Sequence, residues 1–479
     1  MKSAARMDMT QGPIMRKVLV FALPICAGNV LQQLYSTVDT VVIGNFCGST
    51  SLAAVGTSSQ PVELLLCIFL GIGTGVSILV SQFAGNGNEK KLREIMETSV
   101  FFLYVCAIPL SVAGQFIGPL VLKIMQVPED TWAPAVSYIA IIFWGTLGNM
   151  GYNMNAGILR GLGDSRASLL FLVISCLVNV VLDLVFVAGF HMDVAGAALA
   201  TIIAMYCSWL FSIFYIRRQY PSLGFSFLPH RMNKAMLGAI IRIGLPLGLN
   251  SSFYSIGHIL MQSLINMQGS VFIAACSVSS RVTGIANVAI TSMSSAATTF
   301  SGQNLGAENY VYLKKGGIQI PLVSGLITCA AGIVVTIFCR PILELFTQDA
   351  AVLAYAVRYI RIVLPLTWTY AVFNCIISFV NGMGEVRFPT IVNILMLWAV
   401  RIPVGCFITF FLDGGYVMAC IPVSFVFGMV CMLSFFGTKR WKEIGRLAGQ
   451  RGADLTPEQR FALLFDWCRQ TLVWAADRS

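Results

Sequence analysis

Twelve apolar stretches, each close to or longer than the thickness of a bilayer, follow one another along this chain of 479 residues. They cover approximately 14–45, 52–84, 97–122, 133–160, 168–189, 194–216, 238–268, 272–303, 317–339, 351–381, 388–411 and 416–436. A helix needs about 20 mostly apolar residues to cross a membrane. Only 11% of the residues are charged, against about 25% in a soluble domain. These runs are continuous and do not alternate, which excludes a β-barrel. The fold class expected is an all-α polytopic membrane protein with twelve transmembrane helices.

Lysine and arginine set the orientation. With the N-terminus inside, 25 of the 31 cationic residues fall on the inner side and only Lys123 and Arg340 on outer loops. That bias predicts a multi-pass protein of the cytoplasmic membrane with both termini cytoplasmic. It also accounts for the net charge of +10. Because the cations are spread over loops, no nucleic-acid surface is expected. The fourteen cysteines are scattered, with no CxxC, and read as small apolar fillers. The first apolar run is too long for a cleaved signal and lacks a small-residue cleavage site.

The chain repeats itself. Leu23-Pro24 returns as Leu245-Pro246, Gln82–Gly85 as Gln303–Gly306, and Arg160–Arg166 as Asn381–Arg387, at offsets of 221 or 222. Six spans per half is an even number, so the halves insert the same way up. This predicts a parallel repeat of two pseudo-symmetric six-helix bundles with the binding site between them. The divisions expected are an N-lobe over 1–216, a basic cytoplasmic linker over 217–242, a C-lobe over 243–436 and a cytoplasmic tail over 437–479. In the tail, Thr456-Pro457-Glu458-Gln459 has the form of a helix start, and apolar residues from Phe461 to Trp474 follow at helical spacing. Pro24 and Pro246 each remove a helix hydrogen bond early in a span. Their equivalence across the repeat favours hinges.

Polar residues within the spans carry the chemistry. Asn29, Gln32, Ser36 and Asp39 are spaced 3, 4 and 3, one face of span 1, and Gln33 and Tyr35 flank them. Ser251, Ser255, His258, Gln262 and Asn266 form the matching stripe on span 7. Polar stripes in lipid must pack against another helix or line water, and the matched pair favours a shared aqueous cavity. Asp39 lies about 9 Å from the outer end of span 1, at 1.5 Å per residue. Asn179, Asp183 and Thr201 fall at the same depth on spans 5 and 6. Two carboxylates in a low dielectric disfavour each other's charge, so such a pair could hold a proton. Together with an amide and a hydroxyl oxygen, they could equally hold a small hard cation such as sodium. Glu63 could attract a cationic substrate or be paired within its lobe. His258 could titrate or serve only as a hydrogen-bonding member. Arg401, just before Pro403, reads as a structural partner for backbone or carboxylate. No HExxH, GxSxG, P-loop or kinase set is present, and Gly71–Gly75 fits close helix packing. Neither an enzyme nor a cofactor is expected. Without an ATP site, an ion gradient would supply the energy.

These residues resemble the multidrug and toxic compound extrusion (MATE) family. The resemblance rests on Leu23-Pro24, Val38-Asp39-Thr40, Gly71–Gly75, Gln82–Gly85, Arg160–Arg166, Asn179 with Asp183, Gly196–Thr201 and Arg401-Ile402-Pro403, over roughly 10–440. It implies two bundles facing each other in a V around a central cavity, and cation-coupled antiport by protons or sodium. Within the DinF-like branch, which this chain resembles more, the coupling set is Asp in helix 1, Asn and Asp in helix 5, and Thr in helix 6. These match Asp39, Asn179, Asp183 and Thr201. Helices 7 and 10 lack the acidic residues used in the NorM-like branch. The expectation is a monomer embedded in lipid that exports amphipathic, cationic drugs or metabolites. A lipid-linked oligosaccharide flippase would instead line its cavity with cations. An intramembrane enzyme would cluster its histidines, and those at 191, 230 and 258 are dispersed. A channel would show sustained conductance.

Overall fold

The computed structural model describes residues 7–125, 127–228 and 232–449. Among them, eleven helices are long and apolar enough to span a membrane, and a bent pair makes a twelfth. In chain order they are α1 (Ile14–Phe46), α2 (Gly48–Gly85), α3 (Glu89–Ile124), α4 (Glu129–Trp144 and Thr146–Leu162), α5 (Ser165–Asp183, extended by a π-helical turn, Leu184–Gly189) and α6 (Asp193–Gln219). The second set comprises α7 (Lys234–Asn266), α8 (Ser270–Gly306), α9 (Tyr310–Ile337), α10 (Ala350–Gly382), α11 (Arg387–Phe411) and α12 (Gly414–Gly437). The two segments of α4 meet at 49° around Gly145, where a Cβ would strike the Ile202 side chain. The expected linker is shorter than 217–242, because α6 runs through Arg217 and Arg218 and α7 starts at Lys234.

Capping follows the repeat. The Asn88 side chain accepts the Lys91 N–H at the start of α3, and Asn309, 221 residues on, accepts the Tyr312 N–H at the start of α9. These bonds satisfy helix N–H groups that have no intrahelical acceptor. Gly163 and Gly384 both adopt left-handed φ values, 95° and 85°, which a side chain would resist.

The bundles meet through small residues. A Cβ on Gly71 or Gly75 of α2 would collide with the backbone of Gly248 or Gly244 of α7. Gly85 is pressed on the backbone of Gln303, and reciprocally Gly306 on that of Gln82. The same exchange appears in hydrogen bonds. Gln82 Nε2 donates to the Gly382 carbonyl at 3.0 Å, and Gln303 Nε2 donates to the Gly161 carbonyl at 3.3 Å. Reciprocal contacts of this kind are the signature of a two-fold relation. Here the relation is a pseudo-two-fold between lobes of one chain. Nearer the other ends of α2 and α8, Gly56 and Gly284 have nothing within 4 Å of a would-be Cβ. The lobes therefore close on each other at the Gly85/Gly306 end.

An N-terminal segment crosses the closed end. The Met7 N–H donates to the Gly163 carbonyl of the first lobe at 3.1 Å. The Met9 N–H donates to Gln303 Oε1 of the second at 3.0 Å, and Asn309 Nδ2 donates to the Thr10 carbonyl at 2.8 Å. After α12, α13 (Lys439–Gly449) buries Trp441 and Ile444 in the second-lobe core, with Trp441 edge-on to Phe436 and Phe379. The expected tail helix, Thr456 to Trp474, lies outside the described residues. All cysteines among the described residues are free thiols.

Candidate functional site

Three helices of the first lobe bring Asp39, Asn179, Asp183 and Thr201 together. Asp39 stands one turn beyond Tyr35 on α1, Asp183 one turn beyond Asn179 on α5, and Thr201 on α6. Asn179, Asp183 and Thr201 are buried. The carboxyl groups of Asp39 and Asp183 lie within hydrogen-bonding reach of each other. With its nitrogen towards Asp183, the Asn179 amide donates to Asp183 Oδ2 at 2.7 Å and accepts from the Thr201 N–H at 3.3 Å. Tyr35 Oη is 3.5 Å from Thr201 Oγ1. Yet Asp39 Oδ1 and Asp183 Oδ1 are buried with no partner among the described residues. Two facing carboxylates without a proton or cation between them would be strongly unfavourable in a dry interior. Their free oxygens, with the Thr201 hydroxyl, form a compact set of hard donors that fits a proton or a small alkali cation.

One turn below this cluster lies a cavity of about 730 Å³. Asn29, Gln32, Gln33, Tyr35 and Pro24 of α1 line it, with Asn149, Tyr152, Asn153 and Arg160 of α4, Cys176 of α5, and Asn287 and Thr291 of α8. Its size falls within the 300–1,000 Å³ of small-molecule sites. Asn29 also donates to Ser292 Oγ of the other lobe at 3.1 Å. Tyr35 touches both regions and separates cavity from carboxylates.

The two polar stripes do not share this cavity. His258 and Gln262 of α7 line a second one of about 130 Å³ inside the second lobe. Ser255 donates to the Ser251 carbonyl and meets Cys67 of α2, while Ser36, exposed, lines neither cavity. Glu63 is exposed on α2 and lines neither cavity. Pro24 faces the larger cavity, whereas Pro246 sits between Gly244 and Gly248, the two glycines against α2. Arg160 lines the cavity towards the closed end, where the carbonyl of the neighbouring Gly161 accepts from Gln303. Asn149, Tyr152, Asn153 and Arg160 also contribute a helical face that the sequence reading overlooked. Their spacing of 3 or 4, then 7, is its signal.

Comparison with known proteins settles the family. The MatE family model matches twice, over residues 24–185 and 246–407. This chain belongs to the MatE family. The two matches begin at Pro24 and Pro246, so each half of this MatE transporter carries one copy of the unit. It is 27% identical over 438 residues to "Probable multidrug resistance protein YpnP" of Bacillus subtilis, covering 91% of this chain and 97% of that protein. It is 24% identical over 392 residues to "Multidrug export protein MepA" of Staphylococcus haemolyticus, covering 80% and 85%. Among solved structures it resembles the outward-facing conformation of a multidrug resistance MATE family transporter, with a TM-score of 0.83 and 21% identity over 94% of this chain and 100% of that one. The twelve-helix, two-bundle architecture is thus that of MATE transporters, and the MatE chain is a transporter rather than an enzyme.

Proposed function

We propose that this MatE protein is a cation-coupled antiporter of the cytoplasmic membrane that exports amphipathic, cationic small molecules. The observation that carries the reading is the pair of unpartnered carboxylate oxygens on Asp39 and Asp183, one turn from a cavity of drug-molecule size. A proton or sodium ion entering that pair removes the repulsion between the carboxylates. It thereby draws α1 towards α5 and α6. Tyr35 transmits the shift to the cavity and Pro24 supplies the bend, so the cavity narrows and its contents leave. The names of the relatives, multidrug resistance and multidrug export, support the substrate class.

Orientation follows from the cationic loops. The closed Gly85/Gly306 end faces the cytoplasm, and the cleft opens outward. Proteoliposomes with proton and sodium gradients imposed separately test the mechanism. Wild-type protein is expected to extrude a cationic dye against its gradient. Asp39→Asn and Asp183→Asn are each expected to abolish gradient-driven export while the purified protein stays folded. Export at wild-type rates in both variants would exclude coupling at this pair.

A further inference from the structure

The smaller cavity, in the second lobe, holds an arginine with which no carboxylate pairs among the described residues. Arg401 of α11 is only 6% exposed. Its Nε donates to Ser424 Oγ at 2.9 Å, its Nη1 reaches Tyr254 Oη at 3.4 Å, and its guanidinium lies 5.0 Å from the centre of the Phe425 ring. Nη2 is buried with no partner. No carboxylate forms an ion pair with Arg401 among the described residues. The sequence reading of Arg401 as a partner for backbone or carboxylate is therefore replaced by a guanidinium held between hydroxyls and a ring. A buried cation left unpaired is strongly unfavourable, and an arginine fork suits the two oxygens of a carboxylate or phosphate. Tyr254, His258, Gln262 and Tyr359 surround the same space.

Its position in the repeat is informative. The offset relating the lobes carries Asp39 onto Met261 and Tyr138 onto Tyr359, and both of these line the cavity. Asp183 immediately precedes a π-helical turn in α5, and Arg401 ends the π-helical turn Met396–Arg401 of α11, the helix equivalent to α5. Such turns recur at functional sites. The second lobe thus carries, where the first has its acidic cluster, a site of opposite charge. We infer that this cavity binds a compact oxyanion, the carboxylate or phosphate group of a small acid, through Arg401. At about 130 Å³ it admits an acidic group and not a whole drug-sized molecule, for which about 300 Å³ is the lower bound.

The test is thermal unfolding of the purified full-length protein in detergent, followed by tryptophan fluorescence. Sodium phosphate and sodium benzoate are titrated separately, at constant sodium and ionic strength. A saturable rise in melting temperature is expected with at least one of them. Whichever anion is tighter tells a free ion from the acidic group of an organic molecule. Arg401→Gln is expected to weaken the half-saturation roughly tenfold or more, the scale of a lost charged hydrogen bond. Arg401→Met is expected to abolish the response without lowering the melting temperature of the ligand-free protein. Tyr254→Phe, a milder change, is expected to weaken it several-fold. Asp39→Asn and Glu63→Gln are expected to keep it, so loss of ion coupling and loss of this site read separately. The inference is overturned by a wild-type protein that responds to neither anion up to their solubility limits. It is equally overturned by an unchanged half-saturation in Arg401→Gln.

Discussion

Asn179 is the residue on which the acidic cluster turns. It is buried, and its amide bridges a carboxylate of α5 to the backbone of α6 through Asp183 Oδ2 and the Thr201 N–H. Hydrogen bonds to charged groups contribute about 1.5–3 kcal/mol. Asn179→Ala is therefore expected to weaken sodium binding roughly 10- to 150-fold, which isothermal titration with sodium on detergent-solubilised protein would read. Thr201→Val removes one hydroxyl and leaves the backbone N–H that Asn179 uses. A neutral hydrogen bond is worth about 0.5–1.5 kcal/mol, so its effect is expected to stay near tenfold or below. Equal losses in the two variants would mean that Asn179 does not organise the pair. At this scale the sequence was informative. Buried carboxylates in lipid are costly enough to mark themselves, and helix rise alone set Asp39, Asp183 and Thr201 at one depth. It did not disclose that Tyr35 stands between the acidic cluster and the cavity, because that depends on how α1 is rotated against α6.

Among the elements, α2 and α7 show how little a helix crossing needs and how much it forbids. Glycines at 71, 75, 244 and 248 let the two backbones touch, and any side chain there meets main chain that cannot move aside. Gly71→Leu and Gly248→Leu are each expected to cost at least about 1–3 kcal/mol, the scale of overpacking. The cost would be seen as a lower melting temperature in detergent. Gly56→Leu, on the same α2 but facing open space, is expected to be near neutral. Helix propensity favours Leu over Gly, so if Gly56→Leu proved as damaging as Gly71→Leu, lipid contact rather than the crossing would be responsible. The GIGTG run was legible as a packing motif. Its partner was not, because small residues say that something approaches closely without saying what.

For the whole molecule, the closed end is a pseudo-symmetric latch in which Gln82 and Gln303 each donate to a carbonyl of the opposite lobe. Gln82→Ala and Gln303→Ala are each expected to shift the lobes towards opening at this end by about 0.5–1.5 kcal/mol. The shift would appear as several-fold faster labelling of a cysteine introduced at the buried Ser81 of the same end. Gln303 also receives the Met9 N–H, so its loss is expected to be the larger of the two, and indifference of labelling to both would refute the latch. By itself the sequence determined that the chain crosses a membrane twelve times, that it is a duplicated six-helix unit, and which acidic residues share a depth. Hydropathy, an internal offset and a fixed rise per residue are one-dimensional quantities and survive without coordinates. Only the tertiary structure decided that the matched polar stripes line two separate cavities, that Arg160 lines the larger one, and that Arg401 meets no carboxylate among the described residues. Those facts depend on the rotation of each helix about its own axis, and that rotation is set by contacts between residues far apart along the chain.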